Sequence, residues 1–233
     1  ARGQAPVACS IQFNGTREVI ELARYAHDVG ASLGQLSAPS YYPPPDEDIY
    51  QLFKDVSAGA DLPLMIYNNW WNTLNMNLSM VERLARLPTV VALKWSAPSS
   101  GQFTEGLHRM ANRLAVIDNE NQIVWSHMMG AVGFITHVSN FWPAYPGELA
   151  DLLQQRRYDE VIARLAFFQW PWSQWVDKAV AETEGEGPFI KVAMEEVGLR
   201  VGPPRPPARP LSAALRQELH ELFVRVGVPR MRD

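Results

Sequence analysis

Short apolar runs alternate along most of the chain with longer segments whose apolar residues have helical spacing. Six runs predict strands, at residues 6–11, 34–38, 62–67, 89–94, 114–118 and 131–138. The segments that follow them predict helices, at residues 16–29, 46–57, 79–86, 103–111, 122–129 and 147–155. Strands that alternate with helices in this way are typical of βαβ units and a parallel sheet.

Two parallel architectures fit this pattern, a doubly wound open sheet and a (β/α)₈ barrel. No glycine-rich phosphate-binding motif follows the first predicted strand, which argues against an open sheet that binds a dinucleotide. A barrel needs eight strand–helix units, and the pattern supplies six. The periodicity alone leaves both architectures open.

The predicted strands stop before Tyr158. Three amphipathic helices follow, at 159–175 with an interruption at Pro171, at 188–197 and at 211–226. The proline-rich stretch 202–210 between the last two predicts an extended connector. We therefore predict a domain of β/α units over 1–157 and a helical region over 158–233.

Composition indicates a soluble globular protein. Of the 233 residues, 47% are apolar and 20% are charged, and the net charge of −4 argues against nucleic acid as a partner. The apolar runs are shorter than the roughly 18 residues that a membrane span needs, so no membrane contact is expected. Cys9 is the single cysteine, which leaves no internal disulfide and favours a reducing, cytoplasmic location.

The candidate chemistry lies at the carboxyl ends of the predicted strands, where parallel α/β proteins place their sites. Tyr67 ends the third strand and Lys94 ends the fourth, so the two are expected at equivalent heights on neighbouring strands. An uncharged lysine attacks a carbonyl to form a Schiff base, and a nearby phenol can move the protons. The alternative is that both side chains simply reach water.

Other candidates are weaker. His137 is expected to be a packed or hydrogen-bonded histidine, and no group of residues has the spacing of metal ligands, so no metal is predicted. Trp70, Trp71 and Trp95 follow strand ends, and they either pack in the protein or line a pocket.

Several segments resemble the dihydrodipicolinate synthase and N-acetylneuraminate lyase family of pyruvate-dependent class I lyases. They occur in the family's order and at its spacing across essentially the whole chain. The segments are Asn14-Gly15-Thr16-Arg17-Glu18, Pro39-Ser40-Tyr41-Tyr42, Leu62-Pro63-Leu64-Met65-Ile66-Tyr67-Asn68, Val90-Val91-Ala92-Leu93-Lys94, Gly130-Ala131-Val132-Gly133-Phe134-Ile135-Thr136 and Arg205-Pro206-Pro207-Ala208-Arg209-Pro210-Leu211-Ser212.

The resemblance implies a (β/α)₈ TIM barrel with a C-terminal helical extension and no cofactor beyond the covalent lysine intermediate. It makes Lys94 the Schiff-base lysine and Tyr67 the proton relay, and it places the backbone carbonyl of Ile135 against the bound oxoacid. Tyr42, or else Tyr41, would enter the site of a neighbouring subunit in a homotetramer built as a dimer of dimers. The matching segments begin at the family's third unit, so we expect the native protein to be longer.

Two departures concern substrate choice. Asn72 stands where dihydrodipicolinate synthases carry an arginine that grips the carboxylate of the second substrate, and an amide lacks that cationic fork. Trp95 follows the lysine where an acidic residue is common, and Asn119-Glu120-Asn121 replaces the usual Gly-Asp/Glu-Asp. We count Asn72 and Trp95 as substrate-binding candidates for a bulkier, less charged partner.

The sequence therefore predicts a lyase, an aldolase or hydro-lyase acting on pyruvate or a related 2-oxoacid, that is not a true dihydrodipicolinate synthase. The main alternative is a catalytically inactive homologue that serves as a binding or regulatory subunit. A third possibility is an unrelated α/β enzyme whose lysine is only structural.

Overall fold

The computed structural model describes residues 3–183 and 185–231. The chain divides into two compact units between Ile135 and Thr136. The boundary predicted after residue 157 falls inside the second unit, because the helix after the last strand packs with the later helices. Within the described residues, no helix has both the length and the apolar character needed to cross a membrane.

The first unit contains a parallel sheet of six strands. Each predicted strand is present: β1 (Ala8–Ser10), β2 (Leu33–Leu36), β3 (Leu64–Tyr67), β4 (Val90–Trp95), β5 (Ala115–Asp118) and β6 (Gly133–Phe134). They lie in the order β1-β2-β3-β4-β5-β6, and each pairs in parallel with the next. A doubly wound sheet reverses its strand order at a switch point, whereas a barrel wall keeps the chain order. The strand order thus favours the barrel architecture.

Five helices connect these strands: α1 (Thr16–Asp28), α2 (Asp46–Gly59), α3 (Leu78–Leu84), α4 (Ser100–Met110) and α5 (Ile123–Met128). Each buries one apolar stripe; in α1 the stripe is Val19, Ala23 and Ala26. Side chains cap two of them, since Asn77 accepts from the amide of Met80 and Ser99 accepts from the amide of Gln102.

Strand β4 differs from the continuously buried strand that its apolar run predicts. Leu64 lies opposite Val90 but Met65 lies opposite Ala92, so the register shifts by one residue at Val91, which is 43% exposed. Beyond the irregularity, Leu93 packs in the main core together with Ile66 of β3. The register shift brings Lys94 opposite Tyr67.

The prediction that Trp95 binds substrate is wrong. Its indole is fully buried in the core, and its Nε1 donates a hydrogen bond of 2.9 Å to the backbone carbonyl of Phe103 in α4. Successive side chains on a strand point to opposite faces, so Trp95 faces the helices when Lys94 faces away from them.

The second unit is helical after a 3₁₀ turn at His137–Asn140. Its helices are α6 (Ala144–Gln154), α7 (Tyr158–Arg164), α8 (Trp170–Glu182), α9 (Glu186–Glu196) and α10 (Ala213–Val226). Pro171 was expected to interrupt a helix, but a π-helical segment at Leu165–Gln169 joins α7 to α8 and Pro171 lies in the first turn of α8. Proline has no backbone N–H, and a residue in the first turn of a helix does not need one for the helical hydrogen bonds. Pro171 is therefore tolerated at this position. Aromatic rings of Phe141, Phe168, Trp172 and Phe223 form the centre of this unit.

The contact between Trp95 and α4 generates a stability prediction. A Cβ at Gly106 would lie 2.3 Å from the Trp95 ring, whereas a Cβ at Gly101 in the same helix would meet nothing within 4 Å. We expect Gly106→Ala to lower the free energy of unfolding by about 1–3 kcal/mol, because the added methyl displaces a buried indole. Gly101→Ala is the matched control and should be neutral or stabilising by up to about 1 kcal/mol. Urea denaturation measures both, and equal effects would contradict the packing described here.

Candidate active site

Tyr67 and Lys94 meet at the carboxyl ends of β3 and β4. They are direct partners in the parallel register, and Nζ of Lys94 lies 3.9 Å from the centroid of the Tyr67 ring. Tyr67 is buried and Lys94 is half-buried. The adjacency predicted from the sequence is therefore confirmed. An ammonium in this position gains a cation–π contact, and an uncharged amine there has a phenol-bearing ring at van der Waals distance.

Asn68, which the sequence analysis did not single out, fixes these two strand ends. Its backbone amide donates to the carbonyl of Lys94 over 3.2 Å, and its Nδ2 donates to the carbonyl of Ser96 over 2.7 Å. The Ser96 hydroxyl donates back to the carbonyl of Asn68 over 2.5 Å, and the amide of Met76 donates to Asn68 Oδ1. Asn68 and Ser96 are both fully buried, so these bonds hold β3 to β4 where Tyr67 and Lys94 lie.

The indole of Trp71 flanks Tyr67, and the indole of Trp70 flanks Trp71. The ring centroid of Trp71 lies 6.3 Å from that of Tyr67 in an edge-on arrangement, and Trp70 contacts Trp71 in the same way at 5.6 Å. Both indoles are partly exposed to solvent, unlike Trp95. Their position is compatible with the pocket-lining alternative for Trp70 and Trp71.

Glu120 lies beside these indoles. Its Oε1 accepts hydrogen bonds from Trp70 Nε1 at 3.3 Å and from the backbone amide of Ala97 at 3.2 Å. Burial raises the pKa of the Glu120 carboxyl above its ordinary value, against the opposing effect of these two hydrogen bonds. In the sequence Glu120 is the middle residue of a triplet that differs from the family's Gly-Asp/Glu-Asp at its two outer positions, and its contact with Trp70 depends on the fold.

Asp118 ends β5 and is buried on the helix side of the sheet, since it pairs in register with Trp95. Burial raises the pKa of its carboxyl, while hydrogen bonds from Ser126 and from backbone amides oppose the shift. The Ser126 hydroxyl of α5 donates to Asp118 Oδ2 over 2.5 Å, and the backbone amide of Glu120 donates to Asp118 Oδ1 over 2.5 Å. Both carboxyl oxygens of Asp118 therefore have hydrogen-bond partners.

A cleft of about 420 Å³ opens at the carboxyl ends of β1, β2 and β3. Its polar lining includes Gln12, Ser37, Asn69, Asn72 and Thr73. Gln12 Nε2 donates to the Ser37 hydroxyl over 2.8 Å, and the Thr73 hydroxyl donates to the carbonyl of Asn69 over 2.9 Å. The structure thus brings Asn72, a predicted binding residue, to the wall of a cleft next to the strand that carries Tyr67.

The remaining predicted residues lie on other elements. Ile135 follows β6, and its amide donates to the carbonyl of Asp118 over 2.8 Å. Tyr41 and Tyr42 follow β2 and are 76% and 73% exposed, with their ring centroids 4.7 Å apart. Their roles stay predictions.

His137 belongs to the second unit, where its Nε2 lies 3.3 Å from a carboxylate oxygen of Glu186 and its ring meets Phe189. It therefore has the hydrogen-bonded, packed environment that was expected. Among residues 3–183 and 185–231, no three His, Cys, Asp or Glu side chains come together as metal ligands would.

Comparisons with known proteins show the family to which this chain belongs. The chain belongs to the dihydrodipicolinate synthetase family, whose profile matches residues 1–225. It is 31% identical to the 4-hydroxy-tetrahydrodipicolinate synthase of Syntrophobacter fumaroxidans over 158 residues, which are 67% of this chain and 54% of that protein. It is 29% identical over 232 residues to the enzyme of the same name from Chloroherpeton thalassium, a match that covers 98% of this chain and 74% of that protein.

Among solved structures, the dihydrodipicolinate synthase of Agrobacterium tumefaciens superposes with a TM-score of 0.86 at 26% identity. The superposition covers 97% of this chain and 76% of that one. The family resemblance given by the sequence is therefore confirmed, and so is the barrel-type α/β fold with a C-terminal helical part. The chain spans about half the length of the first relative described above.

The buried carboxyl of Asp118 generates a pH prediction. Its pKa is higher in the folded protein than in the unfolded chain, so the unfolded chain releases the proton first as pH rises. Asp118 therefore contributes most to stability below an aspartate's ordinary pKa of about 3.9, and this contribution falls as pH rises through the raised folded value. In Asp118→Asn the side chain does not titrate, so this pH-dependent loss should vanish.

Urea unfolding of the wild type and of Asp118→Asn between about pH 4 and pH 8 measures the difference in slope. Asp61→Asn, which changes an exposed aspartate, is the control and should follow the wild type. Parallel stability curves for wild type and Asp118→Asn would show that the carboxyl does not titrate differently in the folded state.

Proposed function

We propose that this protein is a lyase that acts on pyruvate or a related 2-oxoacid through a Schiff base on Lys94. The observation that carries the proposal is the amine of Lys94 lying 3.9 Å from the ring centroid of Tyr67, at the carboxyl end of the sheet. Membership of a family of pyruvate-dependent lyases supports the choice of substrate class. The Tyr67–Lys94 pair also argues against the alternative of a catalytically inactive homologue.

Lys94 supplies the covalent step. Its uncharged Nζ attacks C2 of the oxoacid, the new N–C bond forms, and the carbonyl oxygen leaves as water to give an iminium. The iminium accepts the electron pair that remains when a proton leaves C3, so an enamine forms without any metal or organic cofactor. In the cleavage direction the same iminium accepts the electrons of the breaking C–C bond.

Carbon–carbon bond formation follows from the enamine. C3 attacks the carbonyl carbon of an aldehyde, the aldehyde oxygen takes up a proton, and water then releases the product from Lys94. Tyr67 is proposed to move protons to and from the carbinolamine oxygen and the aldehyde oxygen, since its hydroxyl is on the ring that lies against the amine. Loss of water from the product is a further reaction open to the same intermediate.

The second substrate is proposed to differ from that of a true dihydrodipicolinate synthase. Asn72, on the cleft wall, has no cationic fork with which to bind a carboxylate in the bidentate manner of arginine. Trp70 and Trp71 offer partly exposed apolar faces beside Tyr67. Ile135 is proposed to contact the oxoacid through its backbone carbonyl, as the family resemblance implies.

A homotetramer, built as a dimer of dimers, is the proposed assembly. Its support is the exposed pair Tyr41 and Tyr42, which presents two large rings to solvent just after a strand end. Exposed aromatic side chains of this kind are enriched at protein interfaces. In this assembly Tyr42, or Tyr41, reaches the site of the neighbouring subunit.

Trapping with borohydride tests the covalent step. Incubation with pyruvate and sodium borohydride should add one reduced pyruvate to Lys94, seen by mass spectrometry of the intact protein and of its peptides. Lys94→Arg should give no adduct, whereas Lys54→Arg, which changes an exposed lysine on α2, should be labelled like the wild type. A wild-type protein that gains no adduct, or gains it at another lysine, would refute the proposal.

Tyr67→Phe tests the proton relay. The variant keeps the ring under the amine but lacks the hydroxyl, so it should still form the adduct slowly while kcat falls by about 10²–10⁴-fold. Steady-state release of pyruvate from a 4-hydroxy-2-oxoacid measures the change. An unchanged kcat would remove Tyr67 from the mechanism.

A further inference from the structure

One carboxylate oxygen of Glu120 links three loops at the carboxyl ends of the strands. Trp70 follows β3, Ala97 follows β4 and Glu120 follows β5. Glu120 Oε1 accepts from the indole Nε1 of Trp70 over 3.3 Å and from the backbone amide of Ala97 over 3.2 Å. Because β4 lies between β3 and β5, these two bonds bridge the end of the strand that carries Lys94.

The backbone beside Glu120 is held by the sheet. The amide of Asn119 donates to the carbonyl of Trp95 over 2.9 Å, and the amide of Glu120 donates to Asp118 Oδ1 over 2.5 Å. Asn121 then turns the chain in the left-handed region, at a φ of 56°, which asparagine adopts more readily than most residues. The turn after β5 therefore presents the Glu120 side chain from a fixed backbone.

The backbone beside Trp70 is held in a similar way. The carbonyl of Asn69 accepts from the amide of Asn72 over 3.2 Å and from the Thr73 hydroxyl over 2.9 Å, which closes a tight turn after β3. These bonds fix the backbone but do not fix the side-chain torsions of Trp70. Trp70 is 37% exposed, and exposed side chains change rotamer within nanoseconds unless something holds them. The hydrogen bond to Glu120 therefore selects one orientation of this indole.

The orientation of Trp70 reaches Lys94 through ring contacts. Trp70 meets Trp71 edge-on with 5.6 Å between ring centroids, and Trp71 meets Tyr67 edge-on at 6.3 Å. Edge-on aromatic pairs are directional, so rotation of one ring disturbs the next. The Tyr67 ring in turn lies against the Lys94 amine, whose Nζ is 3.9 Å from the ring centroid. A continuous series of contacts thus runs from the carboxylate to the amine.

We propose that Glu120 is a positioning residue for the proposed reaction. Its carboxylate fixes Trp70, and the two indoles hold the Tyr67 ring so that the phenol hydroxyl stays where it can move protons for Lys94. The inference rests on the proposed function and adds to it a residue that acts through other side chains. Proton transfer needs its groups within hydrogen-bond reach, so a small displacement of the hydroxyl slows it.

Hydrogen exchange of pyruvate measures this effect without a second substrate. In D₂O the enamine on Lys94 takes up a deuteron at C3 in place of the proton that left, and proton NMR follows the loss of the methyl signal. Rates are taken at saturating pyruvate and divided by the number of sites that borohydride traps, so unfolded chains do not count. Glu120→Ala should exchange about 10–100-fold more slowly per trapped site than the wild type, because the Tyr67 hydroxyl is displaced.

A double-mutant cycle shows whether Glu120 acts through Tyr67. In the Tyr67→Phe background the hydroxyl is absent, so adding Glu120→Ala should change the exchange rate per trapped site by less than about twofold. A carboxylate with an independent structural role would slow exchange by the same factor in both backgrounds. Equal factors would overturn the inference.

Two conservative variants identify the bond that matters. Glu120→Gln keeps an oxygen that can accept from the indole and the amide, so it should stay within about threefold of the wild-type rate. Trp70→Phe keeps a ring beside Trp71 but has no N–H donor, so it should slow exchange as Glu120→Ala does. Glu47→Ala, which removes an exposed carboxylate that accepts from Arg83, is the matched control and should exchange like the wild type. A Glu120→Gln as slow as Glu120→Ala, or a Trp70→Phe as fast as the wild type, would contradict the positioning role.

Trapping with pyruvate separates the two levels of failure. If the wild type forms no borohydride adduct on Lys94, the Schiff-base function fails and the inference falls with it. If the adduct forms and the wild type exchanges, but Glu120→Ala exchanges at the wild-type rate, the positioning role fails while the function stands.

Discussion

The pairing of β3 with β4 is the constraint on which the candidate site depends. A one-residue slip between parallel strands turns every side chain to the opposite face, so Lys94 meets Tyr67 in one register only. Two buried polar residues secure that register, because Asn68 and Ser96 exchange side-chain to backbone hydrogen bonds at the strand ends. A register shifted by one residue would leave some of these buried polar groups without a hydrogen-bond partner. Because that is energetically costly, the neighbouring registers are unfavourable. The position of the Lys94 amine is thus set by groups outside the proposed chemistry.

Much of this architecture could be predicted from the sequence, because hydrophobic period and chain order are local properties. The apolar runs locate every strand, and the strand-end rule places Tyr67 beside Lys94. The burial of Trp95 also has a signal in the sequence, since alternation along a strand sends the residue after Lys94 to the helix side. Strand order along the sheet cannot be predicted from period alone. Asn68 cannot be singled out either, because its importance depends on which atoms lie opposite it in space.

The pleat of the sheet separates the buried carboxyl at the end of β5 from the Lys94 amine. Asp118 pairs in register with Trp95, so it lies on the helix side of the sheet, whereas Lys94 points to the opposite face. Burial raises the pKa of Asp118, and its carboxyl contacts Ser126 of α5. Burial also raises the pKa of Glu120, whose carboxyl accepts a hydrogen bond from Trp70 Nε1. The alternation of side chains along β4 and β5 thus keeps Asp118 apart from the amine on which the proposed chemistry depends.

Different parts of the chain are constrained by the proposed Schiff-base formation and by the selection of the second substrate. Schiff-base chemistry requires a lysine and a phenol in fixed relative positions, so the register of β3 and β4 leaves little freedom there. Selection of the electrophile requires only that the cleft wall complement the group that enters it, and a change from a cationic to an amide side chain removes the preference for an anionic group. Asn72 and Asn69 lie in the turn that follows β3, outside the paired strands. Residues in this turn can therefore change without disturbing the pair, which is why family membership supports the proposed first substrate more strongly than any choice of the second.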